Sequence, residues 1–432
     1  IDSSLIRPFA EGLAENEAYL TELATINRAR IKVMSSTQGL FEGVYPFPGQ
    51  DSFYNVRVAE IPGFRGYPWV QQTQAAGVNT MKLVFDHVEK RSIPKHLATP
   101  VRRLITDADG VVAGALVEKS GQRFAIGARK AVILACGGFE QSTWLQKQYL
   151  QGLPFYSMAP LTHTGDGILM AQKVGAALWH MWHVHGSYGF KLPEFPIAFR
   201  HPFGGSRNPK RIMPWIVVDK FGYRYMDEYH PAAQDTNHRP MELLDPNIPG
   251  YPRIPSFLVF DEAGRKRGPI AHPLAIGGHV YDWSKDNSRE IKKGWILQAS
   301  TLKELAKRVK DLPENDCLME AEALEATVAG WNDIARIGKD PFRRAPGTMS
   351  PIQEPPFYAI PTWPIITNTQ GGPVHNVRQQ VLDPFDEPIP HLFSAGELGS
   401  FFSHLYELGG NLGECLSSGR VAGRNAAAEV SV

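Results

Sequence analysis

Apolar positions recur along this chain at two periods, and the switches between them mark its elements. In the opening stretch IDSSLIRPFAEGLAENEAYLTEL, Ile6, Phe9, Leu13 and Leu20 fall on one side of a helix. Between about Leu83 and Gly138 helix and strand alternate. LVFDHVEKR reads as helix, HLATPVRRLITDADGVVAGALVEKSG as two strands around an Asp109-Gly110 turn, and RKAVILACGG as a short buried strand. From about Ser187 to Thr367 proline and aromatic residues dominate and loops prevail, apart from helices in ASTLKELAKRVKD and EAEALEATVAGWNDIARIG. The sheet pattern returns with QQVLD. The order predicts an α/β fold whose parallel sheet is split in sequence, residues 1–187 and 368–432, around an inserted α+β domain, 188–367, that caps a cleft.

The segment SAGELGSFFSHLYELGGNLGECLSSGRVAG, Ser394 to Gly423, carries the most chemistry. The apolar Leu392-Phe393 runs into Glu397, whose carboxylate at a strand's carboxyl end can accept hydrogen bonds from ribityl or ribose hydroxyls. Gly409 and Gly410 let backbone amides approach a ring closely. The helix from Asn411 then points its positive end at that ring, where it would stabilise the negative charge of a reduced flavin. Yet no GxGxxG turn occurs in the chain, and the first residue is Ile1, already inside a helical pattern. The expectation is a chain that starts part-way through a dinucleotide-binding domain, with an upstream segment or a partner chain supplying that turn.

Composition narrows the classes. The 432 residues suffice for two domains, and 43% hydrophobic with 21% charged residues is ordinary for a globular protein. With 45 basic and 44 acidic residues nothing points to nucleic acid. No apolar run approaches the roughly 18 residues of a membrane span. Cys136, Cys317 and Cys415 are too few and too scattered for a disulfide framework or zinc site, and fit a reducing, cytoplasmic compartment. The run HMWHVHG, with His180, His183 and His185, has no carboxylate or cysteine at ligand spacing, so no metal is expected.

Six motifs in order carry a resemblance: ACGGFE (135–140), HTGDGILMAQKVGAAL (163–178), VVDKFGYRYMDE (217–228), NTQGGPV (368–374), SAGELG (394–399) and LGGNLGECLSSGRVAGRNAA (408–427). The chain resembles the flavoprotein superfamily of fumarate reductases, succinate dehydrogenases and 3-ketosteroid dehydrogenases, and is nearer the last. The resemblance implies FAD, a split Rossmann-like flavin domain, a capping domain, and about one further βαβ unit before Ile1. It implies cofactor contacts at Val101, Gly137, Gly138, Phe139, Thr164, Gly165, Asp166, Gly167, Glu397, Gly409, Asn411 and Leu412. Helix capping alone would also account for Thr164 and Asp166. Arg420 and Arg424 read as solvated helix residues.

Departures from the family pattern shape the expected chemistry. Fumarate reductases clamp a dicarboxylate with arginines and histidines. Where the family has an arginine before LGGN this chain has Glu407, and where it has a histidine before the T-x-GG turn this chain has Asn368. A further family histidine aligns with Ser187, close to His183 and His185, and no arginine matches the family's proton donor after Glu228. Tyr406 matches a tyrosine of the ketosteroid dehydrogenases, and Gly410 a glycine whose amide binds the substrate carbonyl. A phenol and an amide together would polarise a ketone and acidify its α-hydrogen, preparing hydride loss from the β-carbon. Tyr45, in VYPFPG, resembles a further tyrosine segment, and Tyr229 and His230 are candidate proton-transfer bases. Trp179, Trp182, Trp215, Phe190 and Phe203 either line an apolar cleft or form core.

The expected function is an FAD-dependent oxidoreductase acting on a carbon-carbon bond beside a carbonyl in a neutral, bulky, steroid-like small molecule. The alternatives are a remnant or one subunit of a split flavoenzyme, inactive alone, and a reductase of an unsaturated acid.

Overall fold

The structure, a computed structural model, describes residues 3–35, 54–67, 76–203, 208, 210–230, 237–248, 250–276, 279–402 and 410–431. The amphipathic opening stretch forms two helices, Ser3–Ala14 and Asn16–Ala24, rather than one. The first lies along the C-terminal helix Gly410–Ala428. Arg420, expected on a solvated face, ties the two ends of the chain together. It donates to the Gly12 carbonyl at 2.7 Å and Asn16 Oδ1 at 3.2 Å, and its guanidinium lies 4.7 Å from the Tyr19 ring centre. A small core of Leu20, Leu23, Val58, Ile61 and Leu83 joins these helices to the antiparallel ribbon Arg30–Ser35 with Tyr54–Glu60 and to the helix Ala76–Lys90.

The region read as a two-stranded hairpin is a three-stranded meander: Val101–Thr106, Val112–Lys119 and Gln122–Gly127. The third strand is mostly exposed and carries no apolar alternation to announce it. Beyond it Val132–Leu134 runs parallel to Pro388–Ser394, which pairs antiparallel with Gln380–Leu382. Strands some 250 residues apart in sequence thus share one small sheet.

The middle of the chain, expected to be mostly loop, holds the largest sheet. Its axis is the 13-residue strand Phe357–Thr369, flanked by Val184–Phe190 and Ser256–Phe260, with Phe199–Arg200 and Ile216–Val218 outside them. Alternate residues of these strands face opposite sides. Val217, Leu258 and Ile360 join an aromatic core with Tyr188, Phe199 and Trp215, whereas Ile216, Phe257 and Ala359 pack under the helices Leu302–Lys310 and Ala321–Ile337. Trp215, Phe190 and Phe203 are therefore core, while Trp182 is half exposed. No helix among the described residues is long and apolar enough to cross a membrane.

Candidate functional site

The parallel pair sets Leu134 beside Ser394, so Cys136-Gly137-Gly138 and Ala395-Gly396-Glu397 leave the sheet side by side at its carboxyl ends. In open α/β sheets that is where ligands bind. The end of the long strand closes a third side. Thr369 Oγ1 accepts the Phe139 N–H at 3.1 Å, and the Thr369 N–H is shared between Glu140 Oε1 at 3.2 Å and Glu397 Oε1 at 3.1 Å. His163 Nδ1 lies 3.3 Å from Glu140 Oε2 and 3.7 Å from Glu397 Oε2. The ligand atoms of Glu140, His163 and Glu397 lie within 4.8 Å of one another, a spacing that also admits a small cation.

Burial raises both carboxyls above their ordinary range, and the charge of Glu140 pushes Glu397 further up. Two carboxylates this close in a low dielectric favour sharing one proton over carrying two charges. The cradle has no room for a side chain at its centre. A Cβ on Gly138 would lie 1.8 Å from Thr369 Oγ1, 3.0 Å from Glu140 Oε2 and 3.2 Å from Glu397 Oε1.

The 163–167 turn packs directly on this loop. The Gly165 N–H donates to the Gly138 carbonyl at 3.1 Å, and Gly165, at φ +80°, is the N-cap of the helix Asp166–Lys173. Gly167 is buried, and a Cβ there would lie 2.4 Å from Cys136 Sγ. The threonine does not cap. Thr164 is exposed, and its hydroxyl donates to the Thr162 carbonyl at 3.4 Å. Val101 and the exposed Asp166 line a separate groove of about 250 Å³ with Arg103 and Lys173.

At the C-terminal helix, Gly410 is the first residue, and a Cβ there would lie 2.4 Å from the Phe402 ring. Both polar atoms of the Asn411 carboxamide are buried with no hydrogen-bond partner among the described residues, and Leu412 is exposed. One turn on, Glu414 accepts the Ser400 hydroxyl and the Phe401 N–H, each at 2.6 Å. Burial pushes its carboxyl up to about 8. The folded state thus holds the Glu414 proton more tightly than the unfolded chain, whose glutamate titrates near 4.3. That contribution to stability is complete below about pH 4.3 and is lost as pH rises through about 8. Glu414→Gln is expected to flatten the loss between pH 5 and 9 by at least about 1.4 kcal/mol, the equivalent of one pKa unit. Urea midpoints at the two pH values measure it, and parallel losses in both proteins would refute it.

Other expected residues fall elsewhere. Tyr229 is packed within the aromatic core, its phenol oxygen accepting the Asn208 N–H at 2.9 Å. His230 is half-buried at the end of a described stretch. Ser187 is fully buried with its hydroxyl 2.7 Å from His201 Nε2. His201 Nδ1 accepts the Phe203 N–H at 3.2 Å, so this neutral ring carries its proton on Nε2 and donates it to the serine. Burial first, and then Arg200, hold His201 well below its usual range. Asn368 stands opposite His185 in the sheet register. Tyr45, Tyr406, Glu407 and Gly409 lie outside the described residues.

Sequence reasoning did not assign Glu140, His163 or Thr369, although all three sit inside quoted motifs. Each stands within two residues of a glycine, and only the parallel register together with the contacts of Thr369 and His163 shows that their motifs converge.

An FAD ribityl chain offers hydroxyls that need acceptors and donors along a bare backbone. The cradle supplies the Glu397 carboxylate and, at the end of its strand, the Ser394 hydroxyl, buried without a hydrogen-bond partner among the described residues; the C-terminal helix adds the Asn411 carboxamide, likewise without one among them. These residues fit the group. The sequence matches the family described as FAD binding domain over residues 9–412. A 3-oxosteroid 1-dehydrogenase of Mycobacterium tuberculosis is 30% identical over 363 residues, covering 78% of this chain and 60% of the relative. A urocanate reductase of Eggerthella lenta is 27% identical, over 76% of this chain and 50% of the relative.

Among solved structures, the 3-ketosteroid Δ1-dehydrogenase of Sterolibacterium denitrificans, in complex with 1,4-androstadiene-3,17-dione, superposes with TM-score 0.64 at 26% identity. It covers 81% of this chain and 63% of that one. A flavocytochrome c3 fumarate reductase in its open conformation shares the fold, with TM-score 0.63 at 22% identity over 99% of this chain and 64% of that one. The chain spans about 60% of the length of the M. tuberculosis relative. It belongs to the FAD binding domain family, and its cofactor is FAD.

Proposed function

We propose that the protein is an FAD-dependent oxidoreductase that removes or adds hydrogen across a carbon-carbon bond beside a carbonyl in a neutral, bulky, steroid-like substrate. Residues 1–187 and 368–432 would form its flavin domain and 188–367 its cap. The observation that carries the reading is what flanks the cradle. Thr369 lies between Asn368 and Gln370, and opposite them is His185, so the neighbouring polar groups are amides and an imidazole. Among the described residues Arg239 reaches this place, and it is engaged. It donates to His183 Nδ1 at 3.2 Å and the Val184 carbonyl at 3.1 Å, and pairs with Glu242 at 3.5 Å. A dicarboxylate needs two opposed cations, whereas a ketone needs only hydrogen-bond donors.

When bound, FAD supplies the acceptor for a hydride. The chain's own residues do the rest. Glu397, with Glu140 behind it, receives hydroxyl hydrogen bonds, and the Gly410 amide with Tyr406 polarises the substrate carbonyl and acidifies its α-hydrogen. The similarity to 3-oxosteroid 1-dehydrogenase supports this substrate class. The similarity to urocanate reductase supports the second reading, reduction of an unsaturated acid.

The test is anaerobic mixing of the full-length, FAD-loaded protein with 5α-androstane-3,17-dione or succinate. Bleaching of the flavin absorbance by the ketone alone is expected. Bleaching by succinate, or by neither, overturns the reading.

A further inference from the structure

Three ionisable side chains from three separate motifs meet under the cradle, and their charges are not balanced by one another. Glu140 is fully buried. Its Oε2 and His163 Nδ1 face each other at 3.3 Å, yet both atoms are buried and neither has a hydrogen-bond partner among the described residues. Glu397 Oε2 lies 3.7 Å from the same nitrogen. The side chain of Glu397 is 11% exposed and that of His163 24%, so the cluster is closed at Glu140 and reaches solvent at the imidazole.

The strand end aims these atoms. The Thr369 N–H takes Oε1 of both carboxylates, at 3.2 and 3.1 Å, which leaves Oε2 of each turned toward His163. The histidine is held by its own backbone. Its N–H donates to the Pro160 carbonyl at 3.2 Å, and its carbonyl accepts the Gln141 N–H at 2.9 Å. The ring lies against bare main chain, since a Cβ on Gly137 would come within 3.0 Å of Nε2. Donors and packing of this kind orient the ligands of a metal ion.

We infer that Glu140, His163 and Glu397 form a binding site for one divalent transition cation, zinc foremost. Ligand atoms held at about 2.1 Å by one tetrahedral ion stand about 3.4 Å apart. The two nitrogen–oxygen separations here are 3.3 and 3.7 Å, and all three ligand atoms lie within 4.8 Å of one another. The charge balance points the same way. Two carboxylates buried side by side repel each other, and one dication neutralises both. An imidazole nitrogen with two carboxylate oxygens suits zinc, whereas calcium and magnesium collect larger sets of oxygen ligands.

The cation and the cofactor do not exclude each other. A carboxylate oxygen has two lone pairs, so Glu397 Oε1 can accept both the Thr369 N–H and a ribityl hydroxyl while Oε2 holds the ion. Three protein ligands leave a fourth position for water. On binding, the ion displaces to solvent whatever proton the three groups share, because only their deprotonated forms are ligands. Nothing in this site depends on which substrate meets the flavin.

The experiment is calorimetric titration of Zn²⁺ into the full-length, tag-free, FAD-loaded protein after removal of metals with EDTA, at pH 7 in two buffers of different ionisation enthalpy. One equivalent is expected to bind, with release of about one proton. His163→Ala and Glu140→Gln should each weaken binding at least tenfold. Zinc-edge X-ray absorption of the wild-type protein should show one imidazole, otherwise oxygen neighbours at about 2.0–2.2 Å, and no sulfur.

Absence of stoichiometric binding overturns the inference, as does wild-type affinity in either variant. Should a variant lose its fold or its flavin, the wild-type absorption spectrum decides. A single imidazole with oxygen neighbours sustains the site, whereas sulfur, or two or more imidazoles, places the ion on the cysteines or on the histidine run and overturns it. Flavin bleaching by the ketone is read separately, so the zinc site and the dehydrogenase stand or fall independently.

Discussion

Gly138→Ala is expected to abolish FAD retention while leaving a folded protein. A Cβ at that position would lie 1.8 Å from Thr369 Oγ1, far inside contact distance, with Glu140 and Glu397 oxygens at 3.0 and 3.2 Å on its other sides. Thr369 cannot simply turn away, because its hydroxyl accepts the Phe139 N–H and its own N–H holds both carboxylates. The methyl group therefore displaces the strand end, the loop and Glu397 together, and leaves buried partners unsatisfied, each unfavourable by about 1–3 kcal/mol. A loss of at least about 4 kcal/mol in cofactor binding, or roughly a thousandfold in Kd, follows from two or three such groups. Flavin fluorescence titration measures it, with circular dichroism reporting the fold. Removing the obstructing hydroxyl with Thr369→Ala in the same chain should restore part of the affinity, because the sites share one contact and are not additive. Wild-type affinity in Gly138→Ala would show that FAD does not use this cradle.

How much of this could be read from the residues depended on whether a signal was local. Glu397 follows a buried strand and precedes a glycine loop, so its place at the strand's carboxyl end could be read locally. Glu140 and His163 gain theirs only because Val132–Leu134 and Pro388–Ser394 pair in parallel across some 250 positions. Thr369 meets Phe139 across 230. No window of sequence contains those neighbours.

The central sheet was hidden for another reason. All seven residues of Val184–Phe190 are buried, so the strand shows no alternation and its glycines and histidines read as loop. His185 was accordingly seen as one of three histidines in a run, while Tyr229, chosen for its neighbours in sequence, proved to belong to the aromatic core. The same limit misplaced Arg420, whose partners Gly12 and Asn16 lie some 400 residues away.

Glu228→Gln is expected to destabilise the fold by about 3–5 kcal/mol, since it leaves a buried positive charge uncompensated. The motif VVDKFGYRYMDE places Arg224 and Glu228 four residues apart. Arg224 donates to both Glu228 oxygens at 2.8 Å and to both Asp340 oxygens at 2.6 and 2.9 Å. Arg344, fully buried, adds a contact to Glu228 at 3.1 Å and donates to the carbonyls of Trp215 at 2.8 Å and Thr348 at 3.0 Å.

Two arginines thus face two carboxylates inside the sheet's core, with Trp331 4.7 Å from each guanidinium. Burial alone would raise the Glu228 carboxyl, but Arg224 and then Arg344 overcome it and hold it below the usual range. A depressed carboxyl contributes stability above the unfolded value near 4.3, and that contribution fades as pH falls through the lower folded value. The wild-type urea midpoint should therefore drop steeply below about pH 4, and Glu228→Gln should begin low at pH 7 and change less. Arg344→Met should be comparably damaging alone, and the double variant should lose less than the sum, because the two share one charge pair. A cost below about 1 kcal/mol for Glu228→Gln would mean the network is not buried as described. Strictly additive losses would mean that Arg344 is held by backbone carbonyls and not by Glu228.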